Sequence, residues 1–272
     1  MRSTVLLAAA LLAASPAAQA DIIQDLAAAT IIEDFQFEDP SGTVLTAAAN
    51  SAGTGHLWDE DTDTIDVVTN GSGQLNASLK ANNDFGTNYV DNDVLTAASA
   101  YRVLGVMELT WDFQSTLDPS ENEEIRISLI ESDPRSTFIV AEWEIQREDD
   151  DTLTILGNGV GDGSSDIDPV LLNGGSLSQS VPFIAVVDAN MTTDEYFLHF
   201  SADGGASFTT LGPASLDPAR NTIESLRMTL NNDFSGDNVL IERVYLATIP
   251  EPGALALGVT ALALGGLGRR RA

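Results

Sequence analysis

Residues 101–113 read YRVLGVMELTWDF, and the alternation within them decides the fold. In an extended chain successive side chains point to opposite faces, so Tyr101, Val103, Met107, Leu109, Trp111 and Phe113 line one side. That is a β-strand with one apolar face. The same two-residue period returns in EIRISLI, through Ile125, Ile127 and Leu129. It returns again in STFIVAEWEIQ, through Thr137, Ile139, Ala141, Trp143 and Ile145.

Working outward, further strand candidates are TIIEDFQF, TIDVVT, QLNASLK, TLTILG, PFIAVVD, EYFLHFS, SFTTLG, SLRMTL and NVLIERVYL. Clusters of Gly, Asn, Asp, Ser and Pro separate them, among them TNGSGQ, GNGVGDGSSDIDP and NNDFSGDN, and these residue types favour turns. A dozen or so strands, with no convincing amphipathic helix after Ala49, predict an all-β protein built as an antiparallel β-sandwich. QDLAAAT, near the start, reads as a short helix or as a simple leader. No linker divides the body, so residues 21–248 are expected to form one domain with ample core between two inner faces.

The two ends follow other rules. Arg2 supplies a positive start, Val5 to Ala14 an apolar stretch, and Ala18-Gln19-Ala20 a small-residue cleavage site. Residues 1–20 are therefore expected to be a secretory signal helix, removed before Asp21. At the other end, Pro250-Glu251-Pro252 precedes Gly253 to Gly268, sixteen residues without a charge, and then Arg269, Arg270 and Arg271. A bilayer span takes roughly 17–25 apolar residues, so the run is short unless its flanks help. Arginines after the span favour a cytoplasmic end, which leaves the body on the far side of the membrane.

Those three ordered parts, over residues 249–272, resemble the PEP-CTERM sorting signal of Gram-negative bacteria. The resemblance implies recognition by an exosortase, a membrane-embedded cysteine protease, with processing near Pro250–Pro252. It also implies an exported protein at the cell surface or outside it, transiently held by one C-terminal transmembrane helix, in the setting of exopolysaccharide production. An ordinary single-span anchor is the plainer alternative.

Charge narrows the partners. The chain carries a formal net charge of −29. Of its 12 basic residues, Arg2 and Arg269, Arg270 and Arg271 lie in the terminal segments; of its 41 acidic residues only Glu251 does. The body thus holds 8 basic against 40 acidic residues, a net of −32. Nucleic acid and anionic lipid are poor candidates as partners, because phosphate binding depends on Lys and Arg. Calcium, which prefers oxygen ligands, is the cofactor to consider, and plain solubility is the other explanation. Without cysteine there are no disulfides, thiol nucleophiles or iron–sulfur sites, and with only two histidines no multi-histidine metal site.

A single exported domain with about twelve strands looks like the jelly-roll sandwiches of the concanavalin or laminin-G type. The likeness implies pairing of the first and last strands, IIEDFQF beside DNVLIERVYL, and a scaffold for carbohydrate or another ligand.

Several stretches could carry a site. NNDF occurs at Asn82–Phe85 and Asn231–Phe234, and the oxygen ligands beside each make Asp233, Asp237, Asp91 and Asp93 the calcium candidates, against ordinary Asn/Asp turns. Asp59, Asp61 and Asp63 alternate, but Thr64 and Asn70 stand where an EF-hand needs Gly and Glu. Asp162, Asp166 and Asp168 form a third acidic loop. SADGGASF, with Ser201, Asp203, Gly205, Ser207 and Phe208, fits an Asp-box hairpin and reads as a structural turn. Glu142 and Glu144 share one strand face, as a glycosidase pair would, yet Arg147 occupies the place of the third acid of sandwich glucanases. They are expected on a solvated outer face. A hydrolytic triad would need His56 or His199, and no Gly-x-Ser-x-Gly elbow exists. Trp58 and Tyr89 lie in polar stretches and are the candidates for stacking on sugar rings.

The expected protein is a non-enzymatic, exported matrix or surface component, glycan-binding and calcium-stabilised. A polysaccharide-active enzyme and a purely structural surface protein are the alternatives.

Overall fold

The computed structural model describes residues 22–60, 67–80, 85–91, 102–112, 123–131, 139–147, 152–159, 164–172, 182–220, 222–231, 233–234 and 236–249. Both expected terminal helices, and with them Ala18, Ala20, Asp21 and residues 250–272, lie outside that set. Among the described residues, no helix is long and apolar enough to cross a membrane.

A short helix, α1 (Ile22–Ala28), settles the reading of QDLAAAT. The strands then follow as β1 (Thr30–Phe35), β2 (Asp59–Glu60), β3 (Val68–Thr69), β4 (Leu75–Asn76), β5 (Phe85–Asp91), β6 (Arg102–Asp112), β7 (Glu123–Ile130) and β8 (Ile139–Arg147). After them come β9 (Leu153–Asn158), β10 (Ile167–Leu172), β11 (Phe183–Asn190), β12 (Glu195–Ser201), β13 (Thr209–Ser215), β14 (Ser225–Asn231) and β15 (Asn238–Ile249). They form two antiparallel sheets. One runs β13-β12-β11-β6-β15-β4-β3, with β1 also on β15; the other runs β10-β9-β8-β7-β14-β5-β2.

The first and last strands pair as expected, from Thr30 opposite Thr248 to Phe35 opposite Val244. Period two sets the sandwich interior. Ile125, Ile127 and Leu129 of β7 stand opposite Ile145, Trp143 and Ala141 of β8, and all six are buried in the main core. From the other sheet, Met107, Leu109 and Trp111 of β6 enter the same core. At Gly105 the core leaves little room for a side chain. An added Cβ would lie 3.0 Å from a Val187 methyl, and 3.2 Å from both Leu129 and Leu226 across the core.

Strand β6 is buried on both faces, and α1 is the reason. Ile22 packs with Leu104, Val106, Val186, Tyr245, Ala247 and Ile249 in a second cluster on the outer side of the eight-stranded sheet. Arg102 fastens the helix, reaching Asp25 of α1 at 2.6 Å while also pairing with Asp188 of β11.

Three elements depart from the sequence reading. QLNASLK holds only the two residues of β4, then a single 3-10 turn over Ala77–Leu79. FGTNYVD, with its Gly and Asn, has the composition of a loop but becomes β5 because β14 pairs with it from Phe85 through Asp91. IDPVLL becomes β10 despite Pro169, which an edge strand tolerates because, among the described strands of its sheet, it pairs on one side only, with β9.

Candidate functional site

The outer face of the seven-stranded sheet is a lattice of polar side chains. Antiparallel register places Glu142 of β8 opposite Ser128 of β7 and Asn158 of β9, and sets Ser128 opposite Arg227 of β14, itself opposite Tyr89 of β5. The next row along brings Glu144, Arg126, Thr229 and Thr87 into line. A third row holds Glu124 and Asn231. Each row steps across strands about 4.8 Å apart, and the rows are two residues apart along each strand.

Hydrogen bonds tie the rows together. Ser128 Oγ donates to Glu142 Oε2 at 2.6 Å, and Arg227 Nη2 donates to the same oxygen at 3.1 Å. One amide group, Asn158 Nδ2, lies 3.0 Å from Glu142 Oε1 and 3.0 Å from Glu144 Oε2. Arg126 stands among three carboxylates. It pairs with Glu124, reaches Glu142 Oε1 at 3.5 Å, and brings its Nε within 3.2 Å of Glu144 Oε2 as an ion pair without hydrogen-bond alignment. Asn231 Nδ2 donates to Glu124 at 3.1 Å.

These contacts correct the expectation that Glu142 and Glu144 are solvated. The strand parity was right, since Trp143 and Ile145 face the core, but Glu142 is only 1% exposed. Guanidinium, amide and hydroxyl groups take the place of water. Arg126, with 22% of its side chain exposed, carries the lattice outward to solvent. Burial pushes the Glu144 carboxyl up to about 7; Arg126 opposes the rise, and the negative charges of Glu124 and Glu142 add to it.

Tyr89 belongs to this face, as the partner of Arg227, although it is largely buried. Trp58 does not. It is 1% exposed and packs on Phe35 with ring centroids 5.0 Å apart, so its faces are taken by the core. A polar sequence neighbourhood concealed an apolar plug.

Among the calcium candidates, Asp237 has its carboxylate in use. Its Oδ2 accepts from Trp111 Nε1 at 2.8 Å and from Arg147 Nη1 at 2.7 Å, inside the sandwich. The same Arg147 nitrogen donates to Glu123 at 3.0 Å. A guanidinium therefore stands where the sequence suggested a cation. Asp233 is half-buried, Asp91 ends β5 opposite Ser225, and Asp93 lies outside the described residues. Among the described residues, no group of three or more acidic or histidine side chains is arranged to hold a metal. Asp166 accepts from the Gly159 backbone at 3.1 Å and closes a loop, while Asp61, Asp63 and Asp162 lie outside the described residues.

The Asp-box is a structural turn. Asp203 accepts from Ser201 Oγ at 2.7 Å and from Ser207 N and Oγ at 2.9 and 2.6 Å, which holds its carboxyl down to about 2. His199 lies within a cross-strand ladder, its Nδ1 2.8 Å from Thr210 Oγ1 and its Nε2 3.2 Å from Asp188. His56 pairs at 2.7 Å with Glu33, a buried carboxylate of β1 that Thr54 and Asn50 also bind. Sequence reading passed over Arg126 and Arg227. Their signal was strand parity, because both occupy outward positions of EIRISLI and SLRMTL level with the two glutamates.

No family model matches the chain, and no curated protein matches it. Solved structures do. The CBM2 module of the evolved Dit of Lactobacillus casei BL23 phage J-1 aligns at 12% identity with a TM-score of 0.53, over 81% of this chain and 96% of the module. Peanut lectin aligns at 12% identity with a TM-score of 0.46, over 80% of this chain and 97% of the lectin. The exoplasmic/lumenal domain of VIP36, in its Ca2+/Man2-bound form, aligns at 10% and 0.45, over 76% of this chain and 86% of that domain. The likeness to the phage module establishes a jelly-roll-type sandwich.

Proposed function

We propose that this jelly-roll sandwich binds a glycan on the outer face of its seven-stranded sheet. The observation that carries the reading is the lattice around Arg126, where carboxylate, amide, guanidinium and hydroxyl groups lie in register across neighbouring strands. Sugar hydroxyls both donate and accept, and planar groups of this kind can serve two neighbouring hydroxyls at once. The fold shared with a CBM2 module, a carbohydrate-binding type by name, supports the same reading. The protein is an exported surface or matrix component, sorted through its PEP-CTERM-like tail by an exosortase-type protease, and its role is binding rather than turnover. Calcium enters this proposal as a stabiliser to be tested, without an assigned ligand set.

The experiment is binding of the body, residues 21–248, to a panel of polysaccharides with calcium and with EDTA, alongside Arg126→Ala. Binding that Arg126→Ala weakens at least tenfold supports the reading. Absence of binding to every polysaccharide in both conditions refutes it.

One observation favours glycoside cleavage as a second reading. Glu142 and Glu144 share the Asn158 amide, and Glu144, pushed up to about 7, could hold the proton that a leaving sugar needs. Glu144→Gln separates the two: it abolishes turnover of a bound polysaccharide if cleavage occurs, and leaves binding in place if binding is the whole function.

A further inference from the structure

The two ends of the folded body meet. Ile22, the first residue of α1, and Ile249, the last of β15, are both buried in the same small cluster with Leu104, Tyr245 and Ala247. Cross-strand register confirms the location, because Ile249 stands opposite Arg102 at the start of β6, and Arg102 opposite Asn190 at the end of β11. The opposite end of the sandwich holds Asn238, Asp112 and the Arg147–Asp237 pair. With 12 residues in β15, the two ends lie about 40 Å apart.

Chain reach then sets a distance. Only Pro250, Glu251 and Pro252 separate Ile249 from the apolar run that begins at Gly253. Three residues span at most about 10 Å. A second feature marks the same end. Ile23 of α1 and Ile31 of β1, the latter opposite Ala247, are 42% and 41% exposed, two large apolar side chains turned to solvent close to Ile249. The nearby cation does not offer itself to phosphates, since Arg102 is already bound by Asp25 and Asp188.

We infer that, while its C-terminal segment is membrane-inserted, the sandwich stands end-on against the bilayer, with Ile23 and Ile31 at the headgroup layer and the Arg147–Asp237 end facing away. This rests on the anchor reading of residues 249–272. Strands of both sheets run between the two ends, because the two sheets of such a sandwich stay roughly aligned, so the Arg126 face is presented sideways to the bilayer normal. Contact is apolar and suits a neutral lipid surface, because the body carries a large excess of negative charge.

The chain has no cysteine, so single labels are straightforward to place. The full-length chain would be reconstituted into phosphatidylcholine vesicles carrying a headgroup nitroxide, with a fluorophore on Thr193→Cys, in the exposed hairpin beyond Asn190, or on Gly236→Cys, just before β15. Quenching at least threefold stronger at residue 193 than at 236 is expected, and Ile23→Asp with Ile31→Asp should reduce it without releasing the protein. Flotation with equal quenching at both sites overturns the end-on arrangement alone. Failure to float with the vesicles overturns the anchor reading and the arrangement with it.

Discussion

Arg147 Nη1 lies 2.7 Å from Asp237 Oδ2, with neither side chain exposed at all. The pair joins the end of β8 in one sheet to the turn entering β15 in the other, so an ion pair crosses the core where two sheets normally meet through apolar side chains. Glu123 and Trp111 complete it, from the start of β7 and the end of β6. A buried pair of this kind adds little over well-packed apolar residues, but losing one partner leaves the other charged and unmatched.

Arg147→Ala should therefore destabilise the domain by about 3–5 kcal/mol, through two buried carboxylates left without their guanidinium. Arg147→Met, which keeps volume but not charge, should fare little better. Urea unfolding midpoints measure both. A loss under 1 kcal/mol for either would mean that Arg147 does not hold the two sheets together.

Stability should fall as pH rises from about 4.5 to 7. Burial raises both Glu123, further lifted by Asp237, and Glu144 to about 7, against an ordinary glutamate value of 4.5. The folded state thus binds protons that the unfolded chain has released, and the stabilisation present below the unfolded value is lost through the folded one. One unit of pKa shift corresponds to about 1.4 kcal/mol, so the combined effect is on the order of a few kcal/mol. Thermal melts across pH 4–8 measure it, and Glu123→Gln with Glu144→Gln should flatten the profile.

At the acid extreme the sign reverses. Asp203 is held down to about 2 by Ser207 and Ser201, and Asp188 is lowered because His199 and Arg102 outweigh the effect of its burial. Both contribute stability above the ordinary aspartate value that disappears as pH drops through their folded ones. Asp188→Asn should therefore shift the acid-unfolding midpoint, followed by tryptophan fluorescence, to a higher pH than in the parent protein.

Gly105→Val should cost about 1–3 kcal/mol, since its side chain would collide with Val187, Leu129 and Leu226 between the sheets. Gly105→Ala should cost less. Guanidinium unfolding gives the order, and equal stability for all three would show that the sheets can part locally.

Trp58→Ala should cost about 3–5 kcal/mol by opening a cavity against Phe35. Glycan binding by the fraction that remains folded should be unchanged, because Trp58 is no part of the Arg126 face. Isothermal titration below the melting temperature checks this, and a specific loss of affinity would return Trp58 to the site.

The jelly-roll likeness implied the pairing of β1 with β15, while strand periodicity by itself determined the all-β class and which face of β6, β7 and β8 enters the main core. Those features depend on near neighbours along the chain, where a two-residue period is written directly. Tertiary structure alone decided what covers an outward face. Parity put Glu142 and Glu144 on the outside, yet only register brought Ser128, Asn158, Arg126 and Arg227 against them from three other strands. Parity also put Glu123 and Arg147 inside with Ile125 and Ile145, but charged residues become credible there only once Asp237 arrives from the other sheet to complete them. For the same reason FGTNYVD is a strand and Trp58 a core residue: burial and pairing are set by groups distant in sequence, whose positions no local pattern records.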